Sequence, residues 1–286
     1  MAKMREAEPV VEIGEMTAAV SRERVQKLSR DRRRVIGFNS LSLLLFVLLW
    51  EGSSRLLHSV FFPGPLVVSR TFVVLLVEGD IQGYTLPYHA YVSLYRVLLG
   101  FGAACLTAIP LGIILGLWRP VYFGTRVVSE PLRFIPPLAW IPMAILFFSG
   151  LGRYVFLIWV GVFFPLFILT MNGVSTASPT FVDVARVLGA SRSFIALRII
   201  IPNALPQIVG AMRAVMSPAW MCIVAAEMVA AELVGLGQLI NNYATLLRMD
   251  IVIVGMISIG ILGLLLNEAF MAVERTLFRY RQEVKV

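Results

Sequence analysis

Little in this sequence has the type and spacing for covalent or metal chemistry. The two histidines, His58 and His89, lie far apart and share no ligand spacing. Cys105 and Cys222 each sit inside an apolar block, where a thiol acts as a small packing residue and no disulfide framework is expected. The only lysines are Lys3, Lys27 and Lys285, all near the ends. A phosphate-cradling G-x-x-x-x-G-K-[ST] loop needs a lysine within the fold, so nucleotide hydrolysis by that route is excluded. Charges set in apolar surroundings are more telling. Arg96 borders one uncharged run and Arg213 interrupts another, with Glu227 and Glu232 following it. Such charges are costly and often functional. The arginines either favour an anionic solute or snorkel to a headgroup region or pair with carbonyls at a helix break. The two glutamates either line an outer gate or cap a re-entrant turn, for which "GLGQL" at 235–239 is the candidate.

One polar stretch interrupts a very apolar region. "DVARVLGASRSFIALRIIIP", residues 183–202, follows a run from Tyr154 that carries no charge. Ser178-Pro179-Thr180 is a helix-start signal, with Thr180 and Asp183 at capping-box spacing. Phe181, Val184 and Leu188 share one face, and a left-handed Gly189 ends the helix. Ser191 or Ser193 caps a second short helix carrying Phe194, Leu197 and Ile201, which Pro202 closes. Neither helix is long enough to stand alone in water, so each needs a surface for its apolar face. That surface is either the protein's own spans or a groove on another protein.

The elements that must position these residues follow from composition. Of 286 residues, 58% are hydrophobic and 15% charged, with a mean hydropathy of +0.83. Soluble domains are about half apolar and about a quarter charged. Here the excess comes in long uncharged blocks, the signature of membrane-spanning helices. The chain is therefore expected to be an all-α integral membrane protein with six spans, at 35–54, 97–118, 135–149, 154–174, 204–226 and 251–271. The third carries prolines at 136, 137 and 142 and is expected to kink near its start. Residues 66–77, interrupted by Arg70, are short for a span and read as a surface helix. Residues 1–34 form an amphipathic or disordered segment, residues 35–274 the six-span domain with short helices at about 179–201, and 275–286 a tail. No internal repeat is evident.

Positive charge sets the orientation. With both ends in the cytoplasm, 19 Lys/Arg fall inside and four outside, namely Arg55, Arg70, Arg153 and Arg248. This places the 183–202 stretch in the cytoplasm and accounts for the net charge of +8 without nucleic acid.

The stretch resembles the coupling motif of ABC importer permeases, whose pattern is Glu-Ala-Ala, three residues, Gly, nine residues, Ile-x-Leu-Pro. Asp183, Val184 and Ala185 stand for the triplet, and Gly189, Ile199, Ile201 and Pro202 fall at the family's spacing. Asp for Glu, Val for Ala and Ile for Leu are the departures. "HAYVSLYRVLLGF", "IPPLAWIPMAILFFSGLG", "ARVLGAS" and "AWMCIVAAEM" are similar, in the same order, to segments of the subfamily importing sulfonates, taurine, nitrate or bicarbonate. The resemblance covers most of residues 35–282.

It implies the type I ABC importer permease fold in a bacterial plasma membrane. Asp183, Ala185, Gly189, Ala190, Ser191, Ile199 and Pro202 would be the ATPase-coupling residues, and Arg96, Arg213 and Glu227 the translocation-path candidates. Two permease subunits would pair, each seated on one of two cytoplasmic ATPase subunits that hold ATP and Mg, so this chain itself carries no cofactor, metal or catalytic group. An extracytoplasmic binding protein would deliver the solute. A secondary carrier driven by an ion gradient, or a membrane assembly subunit, is the alternative; neither explains the spacing from Asp183 to Pro202.

Overall fold

The computed structural model describes residues 35, 37–177, 179–229 and 232–277. The expectations for residues 1–34, for residues beyond 277 and for Ser178 as a cap concern residues outside that set. Among the described residues every regular element is helical. The described residues fall into two compact units that divide between Leu66 and Val67.

The first unit is built on α1 (Gly37–Leu57), an apolar helix with none of its spanning window buried. The chain then folds back on the helix end. Trp50 Nε1 donates to the Pro63 carbonyl at 3.1 Å and Ser54 Oγ to that of Phe62 at 2.8 Å. An apolar helix that buries nothing within its unit is suited to solvation by lipid.

In the second unit, α2 (Pro65–Val77) is the short surface helix expected. Thr71 on it donates to Asp250 at 2.9 Å. Then come α3 (Leu86–Gly116), α4 (Arg119–Arg133), a 3₁₀ turn (Pro137–Trp140), α5 (Ile141–Phe147) and α6 (Leu151–Ser175). They are followed by α7 (Pro179–Val187), α8 (Arg192–Ile195), a π-turn (Ala196–Ile200), α9 (Ile201–Val229), α10 (Leu236–Thr245) and α11 (Met249–Leu277).

The core lies between α3, α6 and α9, around Val97, Phe101, Ile158, Leu166, Val215 and Ile223. Lipid is as apolar as these side chains, so helices within it associate by close packing more than by exclusion from water. The sequence provides the means on α3. Gly100, Ala104, Ala108, Gly112 and Gly116 recur every fourth residue and are all buried, which forms a ridge of small residues along one face. A Cβ on Gly112 would stand 2.8 Å from Cβ of Thr170, and one on Gly116 would stand 2.9 Å from the Met171 carbonyl oxygen. α6 meets α9 the same way, since a Cβ on Gly161 would collide with Sγ of Cys222.

Three expectations need correction. First, the third of the six expected spans is not one continuous helix; five helices among the described residues are singly long and apolar enough to cross a membrane. The third expected span is instead the 3₁₀ turn and the seven-residue α5. Together they reach only about 18 Å, at about 2 Å per residue in the 3₁₀ turn and about 1.5 Å in α5. Pro136, Pro137 and Pro142 lack the N–H donors of a regular helix, and Pro136 adopts an extended backbone (φ −62°, ψ 138°). Secondly, α3 begins at Leu86 rather than Val97, with Pro87 in its first turn. Arg96 does not mark a helix boundary but lies inside the helix, buried. Thirdly, Pro202 does not close a helix. Arg192 to Val229 is one helix of 38 residues. The π-turn lies immediately before Pro202, where widening the helix relieves the clash of the proline ring with the carbonyl four residues back.

Gly112→Val should destabilise the detergent-solubilised protein by about 1–3 kcal/mol through overpacking. Gly102→Val, at a position with no atom within 4 Å of an added Cβ, should leave the thermal midpoint close to that of the unaltered protein. Equal midpoints for the two variants would contradict the ridge packing.

Candidate functional site

The 183–202 segment forms a turn between two helices that exposes its apolar faces. At the end of α7 the Gly189 N–H donates to the Arg186 carbonyl and the Ala190 N–H to that of Ala185, both at 3.0 Å. This pair of bonds, with Gly189 at φ +79°, is a Schellman C-cap. Ser191 caps α8, its Oγ accepting from the Phe194 N–H at 3.3 Å. Ala185 is buried, Ala190 and Ile199 are half-buried, and Ser191 and Pro202 are exposed. Asp183 lies on the surface, 3.5 Å from Arg186. Phe181, Val184, Leu188 and Phe194 are all more than half exposed, and with Gly189, Ile199 and Pro202 they line an open groove of about 820 Å³. It holds no group positioned for bond making; it is an apolar surface of fixed shape.

The second assembly is a cluster of buried charge. His89, Ser93 and Arg96 stand on one face of α3 at helical spacing, and all three are buried. Arg96 Nη1 donates to Glu227 at 2.8 Å and to the Val234 carbonyl at 2.8 Å, and Nη2 donates to Glu232 at 2.6 Å. Its guanidinium lies 4.2 Å above the Tyr154 ring of α6. Ser93 Oγ donates to Glu227 and accepts from the Leu236 N–H, each at 2.9 Å. Glu227 also accepts the Gly237 N–H at 2.9 Å, which satisfies the first turn of α10. The Gly235 N–H donates to His89 Nδ1 at 3.1 Å, leaving Nε2 to face Asp80 at 3.3 Å. Gly235, at φ +147°, has no room for a Cβ, which would run into the Glu227 carboxylate.

The expected site residues are thus divided among three places. Ala185, Gly189, Ala190, Ser191, Ile199 and Pro202 line the groove, whereas Asp183 lies on the surface outside its lining. Arg96 and Glu227 meet each other, and Glu227 accepts an N–H from the turn into α10. Arg213 lies apart from both, half-exposed on α9 and 3.2 Å from Glu274 of α11. His89, Ser93, Tyr154 and Glu274 were not singled out from the sequence. The His89–Ser93–Arg96 spacing was a usable signal, whereas nothing local points to Tyr154 or Glu274.

A polytopic helical membrane protein with a polar two-helix segment exposing an apolar groove has the architecture of a transport permease. Residues 108–279 match the family of inner membrane components of binding-protein-dependent transport systems, and the chain belongs to that family. It is 37% identical to a putative ABC transporter permease of Methanocaldococcus jannaschii, over 84% of this chain and 91% of the relative. It is 31% identical to the taurine transport system permease of Escherichia coli, over 89% and 93%. It is 32% identical to the bicarbonate transport system permease of Synechococcus elongatus, over 83% and 87%. In fold it resembles the inward-facing MetNI methionine ABC transporter, with a TM-score of 0.57 and 20% identity over 67% of this chain and 95% of that one. The chain is a multi-pass membrane permease of the ABC importer class.

Valine at Gly189 should strain the turn by roughly 1 kcal/mol or more, since φ there is positive. Gly189→Val is expected to insert normally, because no span is touched, yet to lose substrate-driven ATP hydrolysis in the assembled transporter. Normal uptake with a retained ATPase would show that the turn has no coupling role.

Proposed function

We propose that this chain forms the transmembrane path of an ATP-driven importer for a small anion of the sulfonate, nitrate or bicarbonate class. The observation that carries the coupling half is the groove around Gly189, whose shape is set by local hydrogen bonds while its apolar walls stay open. A separate cytoplasmic ATPase subunit, holding ATP and Mg, would cover those walls. Asp183, Ala185, Gly189, Ala190, Ser191, Ile199 and Pro202 would make the joint. Two copies of this chain would pair over two ATPase subunits, and an extracytoplasmic binding protein would deliver the solute. The chain itself performs no catalysis.

The anion half rests on two supports. Relatives that import taurine, bicarbonate and nitrate are 31–33% identical to this chain. Arg213 is a half-exposed cation within a long apolar helix, held by one carboxylate. A passing anion could take the place of Glu274 at Arg213, leaving the part-exposed Glu274 carboxylate to water. Arg213→Ala should then lower uptake while the complex still assembles and its basal ATPase persists. Wild-type uptake by this variant would leave the Glu274 pair as a purely structural contact.

Both termini would face the cytoplasm, following the bias of 19 against four positive charges. An impermeant thiol reagent applied outside should therefore label a cysteine placed at Leu246 and miss cysteines at Lys3 and Lys285. Labelling of either terminus from outside would reverse the orientation.

A further inference from the structure

A single helix joins the groove to the charge cluster. The helix from Arg192 to Val229 contains the π-turn and Pro202 without interruption. Its near end leaves the Ser191 cap, and its far end carries Glu227 into the cluster. The two sites are thus about 50 Å apart along one rod, at about 1.5 Å per residue.

The far end is held by two unlike carboxylates on one guanidinium. The Glu227 side chain is fully buried, with Ser93, Arg96 and the Gly237 N–H as partners. Separating it from Arg96 would strand two buried charges, which is strongly unfavourable. The Glu232 side chain is 34% exposed, and its one partner among the described residues is Arg96 Nη2. Water can take over that carboxylate when the contact breaks, so this arm is the weak one. Arg96 need not follow, since Glu227, the Val234 carbonyl and the Tyr154 ring hold it from other sides.

We propose that the Arg96–Glu232 contact is the releasable half of a latch at the extracytoplasmic end of this helix, with Glu227 as the fixed half. Glu232 is a positioning residue. It favours the state in which the segment after α9 is held against α3, and its release favours the state with that end open. This rests on the coupling and orientation readings above. Because the rod's other end seats on the ATPase, linkage requires that whatever weakens the latch favours the ATPase state coupled to the open form by the same factor.

The test is ATP hydrolysis by the complete transporter in proteoliposomes without binding protein. Glu232→Gln keeps the side chain's shape and removes its charge. It should raise basal hydrolysis about three- to five-fold with no loss of thermal stability, whereas Glu227→Gln should lower the melting temperature. Glu232→Cys should behave like Glu232→Gln. Its modification by an anionic, impermeant methanethiosulfonate should return hydrolysis to the wild-type rate, and a cationic reagent of similar size should not. Wild-type hydrolysis in Glu232→Gln, or equal rescue by both reagents, would overturn the latch. Rescue obtained only from the ATPase side would uphold the latch and overturn the orientation. Gly189→Val combined with Glu232→Gln should show no rise; if it does rise, the coupling reading fails and the latch does not act through this helix.

Discussion

The close approach of α3 to α6 is the constraint on which the other contacts depend. The ridge from Gly100 to Gly116 removes every side chain larger than a methyl from one face of α3. Backbone and small side chains of α6 therefore come within van der Waals distance along about four turns. Thr107 and Trp159 then meet across the two helices, with the indole N–H donating to the hydroxyl at 2.9 Å. Phe156, Trp159, Phe163 and Phe167 stack along α6. One turn before the ridge begins, the same approach sets Arg96 over Tyr154. A wider α3–α6 spacing would leave the guanidinium without that ring.

The charge cluster looks unbalanced, with two carboxylates on one arginine. Backbone groups make up the difference. Glu227 accepts the Gly237 N–H in the first turn of α10, where the helix dipole also favours negative charge. Ser93 passes a second link from the Leu236 N–H to the same carboxylate. The turn into α10 and the carboxylate therefore stabilise each other. Glycine is required at 235 because both its positive φ and the space occupied by Glu227 exclude a side chain.

Sequence patterns recovered what depends on local chemistry. The end of α7 at Gly189, the Ser191 cap and the apolar face of Phe181, Val184 and Leu188 all follow from rules that act over a few residues. Long uncharged runs located the helix from 151 to 175 and the start of the helix from 249 to 277 to within a few residues, whereas the latter's charged end runs six residues past the expected 271. Charge gaps misplaced the start of α3 because they treat every arginine as exposed. Arg96 is affordable inside the helix only through Glu227 and Glu232, more than a hundred positions away. Pro202 was misread for a related reason. A proline ends an isolated helix, but within packed helices a π-turn can absorb it. The third expected span is broken into a 3₁₀ turn and a short helix, because apolar content says nothing about how three prolines interrupt a helix.

These departures share a consequence for force transmission. Two separate short helices closed by Pro202 would have placed a flexible joint between the groove and the core. The π-turn removes that joint, so the Schellman turn at Gly189 is the sharp bend between α7 and the long helix. Its angle is set by two backbone hydrogen bonds and a positive φ, and it needs no side-chain packing to persist. An apolar groove is non-directional and tolerates small shifts of whatever covers it. Rigidity therefore comes from the backbone of the bend and from the rod beyond it, while adhesion comes from the groove. The helix runs without interruption from the Ser191 cap to Glu227, with Pro206 and Pro218 inside it. At that end the buried Arg96–Glu227 pair resists separation, while the part-exposed Glu232 arm can be given up to water. On the proposed coupling, a displacement at the groove would be read at Arg96 as the retention or loss of the Glu232 arm.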